Sequence, residues 1–250
     1  MLRRALLAVS VAAVLLAVFV PAAAATHSWG SYHWARTSNP FTVNLGDNVS
    51  GHWDGHLTTA SADWSKSTVM DTQVVAGNTA GRKCRPTAGR AEVCNAAYGN
   101  NGWLGLAQIW ISGSHITQAL AKMNDTYFND TQRYSATARQ HVMCQEVGHD
   151  FGLGHQDESG ADFDTCMDYS RALDNPSPNK HDYDQLATIY AHTDSSTTLS
   201  ATAATGQPGK VERVDRISDT TIVEHYANGT KKVTHIFWAV PGAHDHGDDD

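Results

Sequence analysis

Positive charge, glutamate and long apolar runs are all scarce in this chain. Lys and Arg number 18 against 26 Asp and Glu, charged residues make up 18% of the sequence, and glutamate occurs 5 times in 250 residues. An acidic balance gives no electrostatic reason to bind nucleic acid or an anionic membrane, so those partners are set aside. With 41% hydrophobic residues the chain is not compositionally disordered, and its length suits one ordinary domain or one domain with an appendix. The 4 cysteines contain no CxxC pair, which argues against a four-cysteine metal site. No phosphate-cradling glycine loop and no Ser-His-Asp order stands out. Beyond residue 25 nothing is apolar enough to span a bilayer.

The N-terminus is the exception to that polarity. Arg3 and Arg4 precede an apolar run over residues 5–20, then Pro21 and an alanine-rich stretch ending at Ala25. This is the layout of a secretory signal peptide cut after Ala25, and it predicts a secreted, extracellular, monomeric protein without stable membrane association. Oxidising compartments favour disulfides. Three pairings of Cys84, Cys94, Cys144 and Cys166 are possible. The most natural joins Cys84 to Cys94 across a short loop and leaves Cys144 for Cys166.

Periodicity predicts an α+β fold. Residues 26–39 read as an irregular aromatic arm, 41–45 and 69–76 as strands, and 52–66 as a helix. A Gly-rich, cysteine-stapled loop covers 77–101. Residues 104–112 and 115–123 look like strands, the second equally compatible with a helix. The most convincing helix is 135–151, with Ser135 as N-cap and Gly152 and Gly154 at its end. A last helix fits 182–192. Residues 194–210 read as a flexible Ser/Thr/Gly linker, 211–240 as a small all-β appendix with a hairpin at Asn228-Gly229, and 241–250 as an acidic tail. The domain proper is then 26–193.

Chemistry concentrates in Gln145-Glu-Val-Gly-His-Asp-Phe-Gly-Leu-Gly-His155. Residues four apart on a helix share a face, so Gln145 and His149 point the same way and Glu146 reaches the rim of the same cleft. Gly152 permits the sharp turn that brings His155 back from another direction, as a small tetrahedral ion requires. Apart from Gln145 this is HExxHxxGxxH, and the chain resembles the metzincin metalloproteases here. The resemblance implies a twisted mixed sheet with an active-site helix and a Met-turn, for which Thr165-Cys-Met-Asp-Tyr169 is the candidate, with Met167 beneath the metal. It implies one catalytic Zn2+ on Gln145, His149 and His155, Glu146 as general base, and Tyr169 near the metal or the reacting carbonyl. The substrate would be a peptide or protein.

Gln145 departs from the pattern. An amide oxygen is a poorer zinc donor than imidazole, so it either ligates through oxygen or leaves two protein ligands and extra water. His141 lies too far along the helix to substitute. The competing expectation is a catalytically impaired, protease-fold binding protein with weak or no zinc. Asp162 and Asp164 give a weak indication of Ca2+, without EF-hand spacing.

Overall fold

The computed structural model describes residues 27–239 apart from 158, 171 and 201–208. The expected signal segment, residues 201–208 of the expected linker and the acidic tail lie outside the described residues. The elements run β1 (His33–Trp34), β2 (Phe41–Asn48), α1 (Trp53–Trp64), β3 (Met70–Ala76), β4 (Ala91–Ala96), β5 (Trp103–Ser112), β6 (His115–Asn124), α2 (Asp125–Phe128), α3 (Ala136–His149), α4 (Lys180–Ile189), β7 (Val211–Arg216), β8 (Thr221–Tyr226) and β9 (Lys231–Trp238).

One mixed sheet in the order β3-β2-β4-β6-β5-β9-β8-β7 carries the fold, with β1 alongside β6. The pairs β2–β3, β2–β4 and β4–β6 are parallel, and β5–β6 is antiparallel. The ambiguous segment after Ser112 is therefore a strand. Inside the expected 77–101 loop lies β4, concealed by its short, polar-studded sequence. Its Glu92 is fully buried, held by Arg90 at 2.6 Å and by the Asn48 side-chain amide at 2.6 Å. Gly46 opposite is obligatory, since a Cβ there would sit 2.3 Å from the Glu92 carboxylate.

The three C-terminal strands form where the hydrophobic alternation placed them, but they extend the main sheet rather than standing apart. Strand β9 pairs antiparallel along β5, from Trp103 opposite Trp238 to Ile111 opposite Lys231. Residues 194–200, read as the start of a flexible linker, are tied to the body. The Asp194 carboxylate accepts from Arg36 at 2.9 Å, and Thr198 N–H donates to the Ala35 carbonyl at 3.0 Å.

The core is built around tryptophan, whose bulk supplies buried area while its N–H demands a partner. Trp34, Trp53 and Trp64 are fully buried. Their ring N–H groups donate to the Asp150 carbonyl (2.9 Å), the Asp125 carboxylate (2.7 Å) and the Cys144 carbonyl (3.1 Å). Two of these bonds end on or beside α3, so the core fixes the helix that bears the sequence signature. Both disulfides are present: Cys84–Cys94 staples the loop onto β4, and Cys144–Cys166 ties α3 to the segment of Met167. No helix among the described residues is long and apolar enough to cross a membrane.

Candidate metal centre

Helix α3 begins as its sequence dictates. The Ser135 side chain accepts from Ala138 N–H at 3.1 Å, satisfying one of the donors a helix start leaves unpaired. It ends where Gly152 adopts φ +91, and any Cβ there would meet the Tyr32 carbonyl oxygen at 2.3 Å. That turn carries the chain to His155, which faces back toward His149.

The third imidazole comes from a distant part of the chain. His149, His155 and His235 place one ring nitrogen each within 4.8 Å of one another. Ring centroids lie 3.9 Å apart for His149–His235, 4.2 Å for His155–His235 and 5.0 Å for His149–His155. His235 belongs to β9 and sits opposite the small Ala107 of β5. Val233, His235 and Phe237 share one face of β9, and sequence reasoning passed over the histidine between two apolar residues. That flanking is the one local signal that a buried imidazole was required.

Gln145 is occupied otherwise than expected. Its amide NH2 donates to the carbonyls of Cys166 (2.8 Å) and Asp168 (2.7 Å), on either side of Met167. The side chain thus braces the predicted Met-turn from the helix position where the sequence signature has histidine. Met167 is fully buried against α3 at Gly148, where a Cβ would stand 2.5 Å from its sulfur. The sequence-predicted residues are therefore brought to one place, while the imidazole that joins His149 and His155 is His235.

The chemistry of the group fits a transition-metal ion. His149 Nδ1–H donates to the Leu153 carbonyl at 2.8 Å, which leaves Nε2 as the lone-pair nitrogen. Among the described residues, His149 Nε2, both ring nitrogens of His235, both carboxylate oxygens of Glu146 and the Gln145 Oε1 are buried without a hydrogen-bond partner. Such a concentration of buried, unpartnered polar atoms, most of them acceptors, is costly unless a cation or ordered water fills it. Burial drives the pKa of His149 and of His235 well below the usual imidazole value, with neighbouring imidazoles adding to it, which favours the neutral, metal-binding form of both. Burial, reinforced by Asp150 one turn along, pushes Glu146 well above the usual carboxylate range. Its Oε2 lies 3.7 Å from His235 Nδ1. Gly105 of β5 makes the space, because a Cβ there would meet Glu146 Oε1 at 2.4 Å.

Three solved structures similar to this chain include two of myroilysin. One is 16% identical, covering 62% of this chain and 82% of that one with a TM-score of 0.36. The other is 14% identical, covering 69% and 97% with a TM-score of 0.35. The third is high choriolytic enzyme 1, a hatching-enzyme zinc protease from the medaka Oryzias latipes, 12% identical over 64% of this chain and 95% of that one, with a TM-score of 0.36. No family model matches the chain, and no curated protein does. A likeness this distant fixes neither family nor activity, which have to be argued from the residues.

Access to the centre is one-sided. Glu146, His149 and His235 are fully buried, whereas His155 borders a cleft of about 610 Å³ between the N-terminal arm and strands β8 and β9. Trp29 of the arm stacks on His149 with centroids 4.9 Å apart. Tyr169 lies beside His155, rings 5.0 Å apart, and its hydroxyl accepts from Trp238 N–H at 3.3 Å. Asp162, considered for calcium, accepts through Oδ1 from Asp164 N–H (3.0 Å) and the Asn175 amide (2.6 Å) within its own loop.

Proposed function

We propose that the protein is a secreted zinc metalloendopeptidase whose ion is held by His149, His155 and His235. The observation that carries this reading is the convergence of three imidazoles beside a buried carboxylate, with His149 Nε2 and the Glu146 oxygens unmatched by any donor among the described residues. Bound zinc supplies Lewis acidity toward a carbonyl and toward water.

The remaining work falls to this chain's own groups. Glu146 takes a proton from the attacking water on a carboxylate oxygen and delivers it to the leaving nitrogen. In a site this dry the carboxylate is a strong base once a neighbouring cation favours its ionised form. The second carboxyl, Asp150, is fully buried one turn away, and burial raises it well above its usual value as well. His149 keeps its orientation through the Leu153 carbonyl. Gln145 takes no part in chemistry and fixes the Met167 turn. Tyr169, against His155, steadies the developing oxyanion. Peptide substrate enters by the cleft that His155 borders.

Peptide cleavage by the zinc-loaded chain, abolished by a chelator and restored by zinc, tests the proposal. A chain that binds zinc at the three histidines yet cleaves no peptide across a diverse peptide library would overturn it. The second reading, a protease-fold binding protein, is favoured by the complete burial of Glu146 and His149 beneath the arm. The same library answers it, since a binder retains peptides that it does not cut.

A further inference from the structure

A second convergence of ligand atoms lies where the N-terminal arm meets the start of α4. His27, His181 and Asp182 each place one ligand atom within 4.8 Å of the others. His27 Nε2, His181 Nδ1 and Asp182 Oδ1 are buried and lack a hydrogen-bond partner among the described residues. The other ring nitrogen of His27 and the other carboxylate oxygen of Asp182 are already engaged, which keeps these atoms available. His27 Nδ1–H donates to the Gly154 carbonyl at 3.1 Å, so its Nε2 carries the lone pair. That lone pair faces Asp182 Oδ1 at 3.6 Å, one acceptor against another. Asp182 spends Oδ2 on Asn179 N–H (2.7 Å) and on the Thr165 hydroxyl, completing the capping box of α4. The His181 ring stacks on His27, centroids 4.6 Å apart, which brings its Nδ1 to the same point.

Two acceptors, His27 Nε2 and Asp182 Oδ1, face each other with the unpartnered His181 Nδ1 beside them, and such a group needs something positive between its members. We propose that His27, His181 and Asp182 form a second metal site, taking a divalent transition ion of the zinc class and clamping the N-terminal arm to the first turn of α4. Zinc bonded at about 2.0–2.1 Å to nitrogen and oxygen sets its ligands about 3.3 Å apart, so the 3.6 Å pair needs only a small inward shift. Two imidazoles and one carboxylate select zinc-class ions over calcium, which takes oxygen ligands in larger number. The reading stands on these residues alone and does not depend on the proteolytic proposal.

The consequence reaches the first centre. Arm and helix exit are already joined by Trp29 N–H to the Gly152 carbonyl (3.0 Å) and Gly154 N–H to the His27 carbonyl (2.7 Å). Trp29, two residues beyond His27, is the ring that covers His149. An ion on His27 fixes the wall of the cleft, and through Asp182 and Thr165 it is linked to the turn of Met167.

The test counts zinc in the full chain, stripped with a chelator, dialysed against buffered zinc and measured by elemental analysis. Two equivalents are expected in the native chain and one in His181→Ala, a partly exposed residue whose side chain the fold does not use elsewhere. The doubly substituted His149→Ala/His235→Ala chain should keep one equivalent, and should lose it when His181→Ala is added. A native chain with one equivalent that survives the double substitution and vanishes with His181→Ala supports the second site while removing the first. An unchanged count in His181→Ala overturns the proposal, as does a single equivalent that disappears with the double substitution. The latter results mean that a proton shared between Asp182 and His27, rather than a metal, occupies the gap. Should the double variant fail to fold, cobalt(II) titration of the native chain and of His181→Ala reads the same difference, as two absorbing equivalents against one.

Discussion

Replacing His235 and replacing Gln145 should have opposite consequences, and the pair decides which side chain completes the centre. Zinc held by four protein ligands binds with about 10–16 kcal/mol at neutral pH, so each ligand carries about 3 kcal/mol. Loss of the His235 imidazole in His235→Ala should then weaken zinc binding on the order of 10²-fold. Gln145→Leu removes instead the donor to two buried carbonyls, at 2.8 and 2.7 Å. Each carbonyl left unsatisfied costs about 1–3 kcal/mol, so this variant should unfold at lower temperature while its zinc affinity stays close to the parent's. Competition against a chromophoric chelator gives the affinities, and thermal unfolding of the zinc-loaded chain gives the stabilities. The outcome that refutes the reasoning is the reverse: Gln145→Leu losing zinc by two orders of magnitude while His235→Ala keeps it. That result would return the amide oxygen to the ligand set and reduce His235 to a core histidine.

Glu146→Gln should retain zinc and lose about 10²–10⁴-fold in kcat on a cleavable peptide, measured at saturating substrate. Gly148→Ala should destabilise the fold by about 1–3 kcal/mol in chemical denaturation. The new methyl group would stand 2.5 Å from the Met167 sulfur and 2.6 Å from the Trp64 ring, both fully buried. Chelator-treated protein should show two opposed pH dependences at the arm. Asp182 is raised by burial from 3.8 to about 6, so its contribution is complete below pH 3.8 and fades as pH climbs through 6. His27 is lowered by burial from 6.5 to about 4, so its contribution is complete above pH 6.5 and fades as pH falls through 4. Denaturation between pH 4 and 6.5 should therefore show stability falling with pH in His27→Ala and rising with pH in Asp182→Asn, and equal slopes in both would contradict the assignment.

What the sequence disclosed and what it concealed divide along the range of the interactions involved. Helix α3 was legible because its signals are local: the Ser135 cap, the spacing from Gln145 to His149, and a glycine where only φ > 0 continues the chain. The turn at Met167 was legible for the same reason, and the two disulfides followed from four cysteines and an expected oxidising destination. Strand β4 was not, because Glu92 and Asn95 break its apolar pattern, and their burial is explained by Arg90 and Asn48 for the first and by Ser50 N–H and the Asp125 carboxylate for the second. His235 was hidden in the same way. Nothing near it in sequence says metal; its role arises because β9 pairs with β5 and so brings its inner face against α3. The arm looked irregular because its partners, Gly152 and Gly154, lie far along the chain and meet it only in the fold.

Moving a ligand from helix to strand changes what the site can tolerate. With the three imidazoles split between α3, the turn after it and β9, the proposed centre would be complete only while β9 is docked on β5. The docked strand also helps wall in Glu146 and His149, so it both completes the site and closes it. Loosening β9 to admit a substrate would withdraw His235 and release the ion, which makes metal retention and access through that wall mutually exclusive. The opposite wall is free of this conflict. The arm contributes Trp29 over His149 but no ligand to the triad, and its cleft already reaches His155. Under the proposed function, substrate access would therefore belong to the arm, and an ion on His27, His181 and Asp182 would set how firmly that door is held.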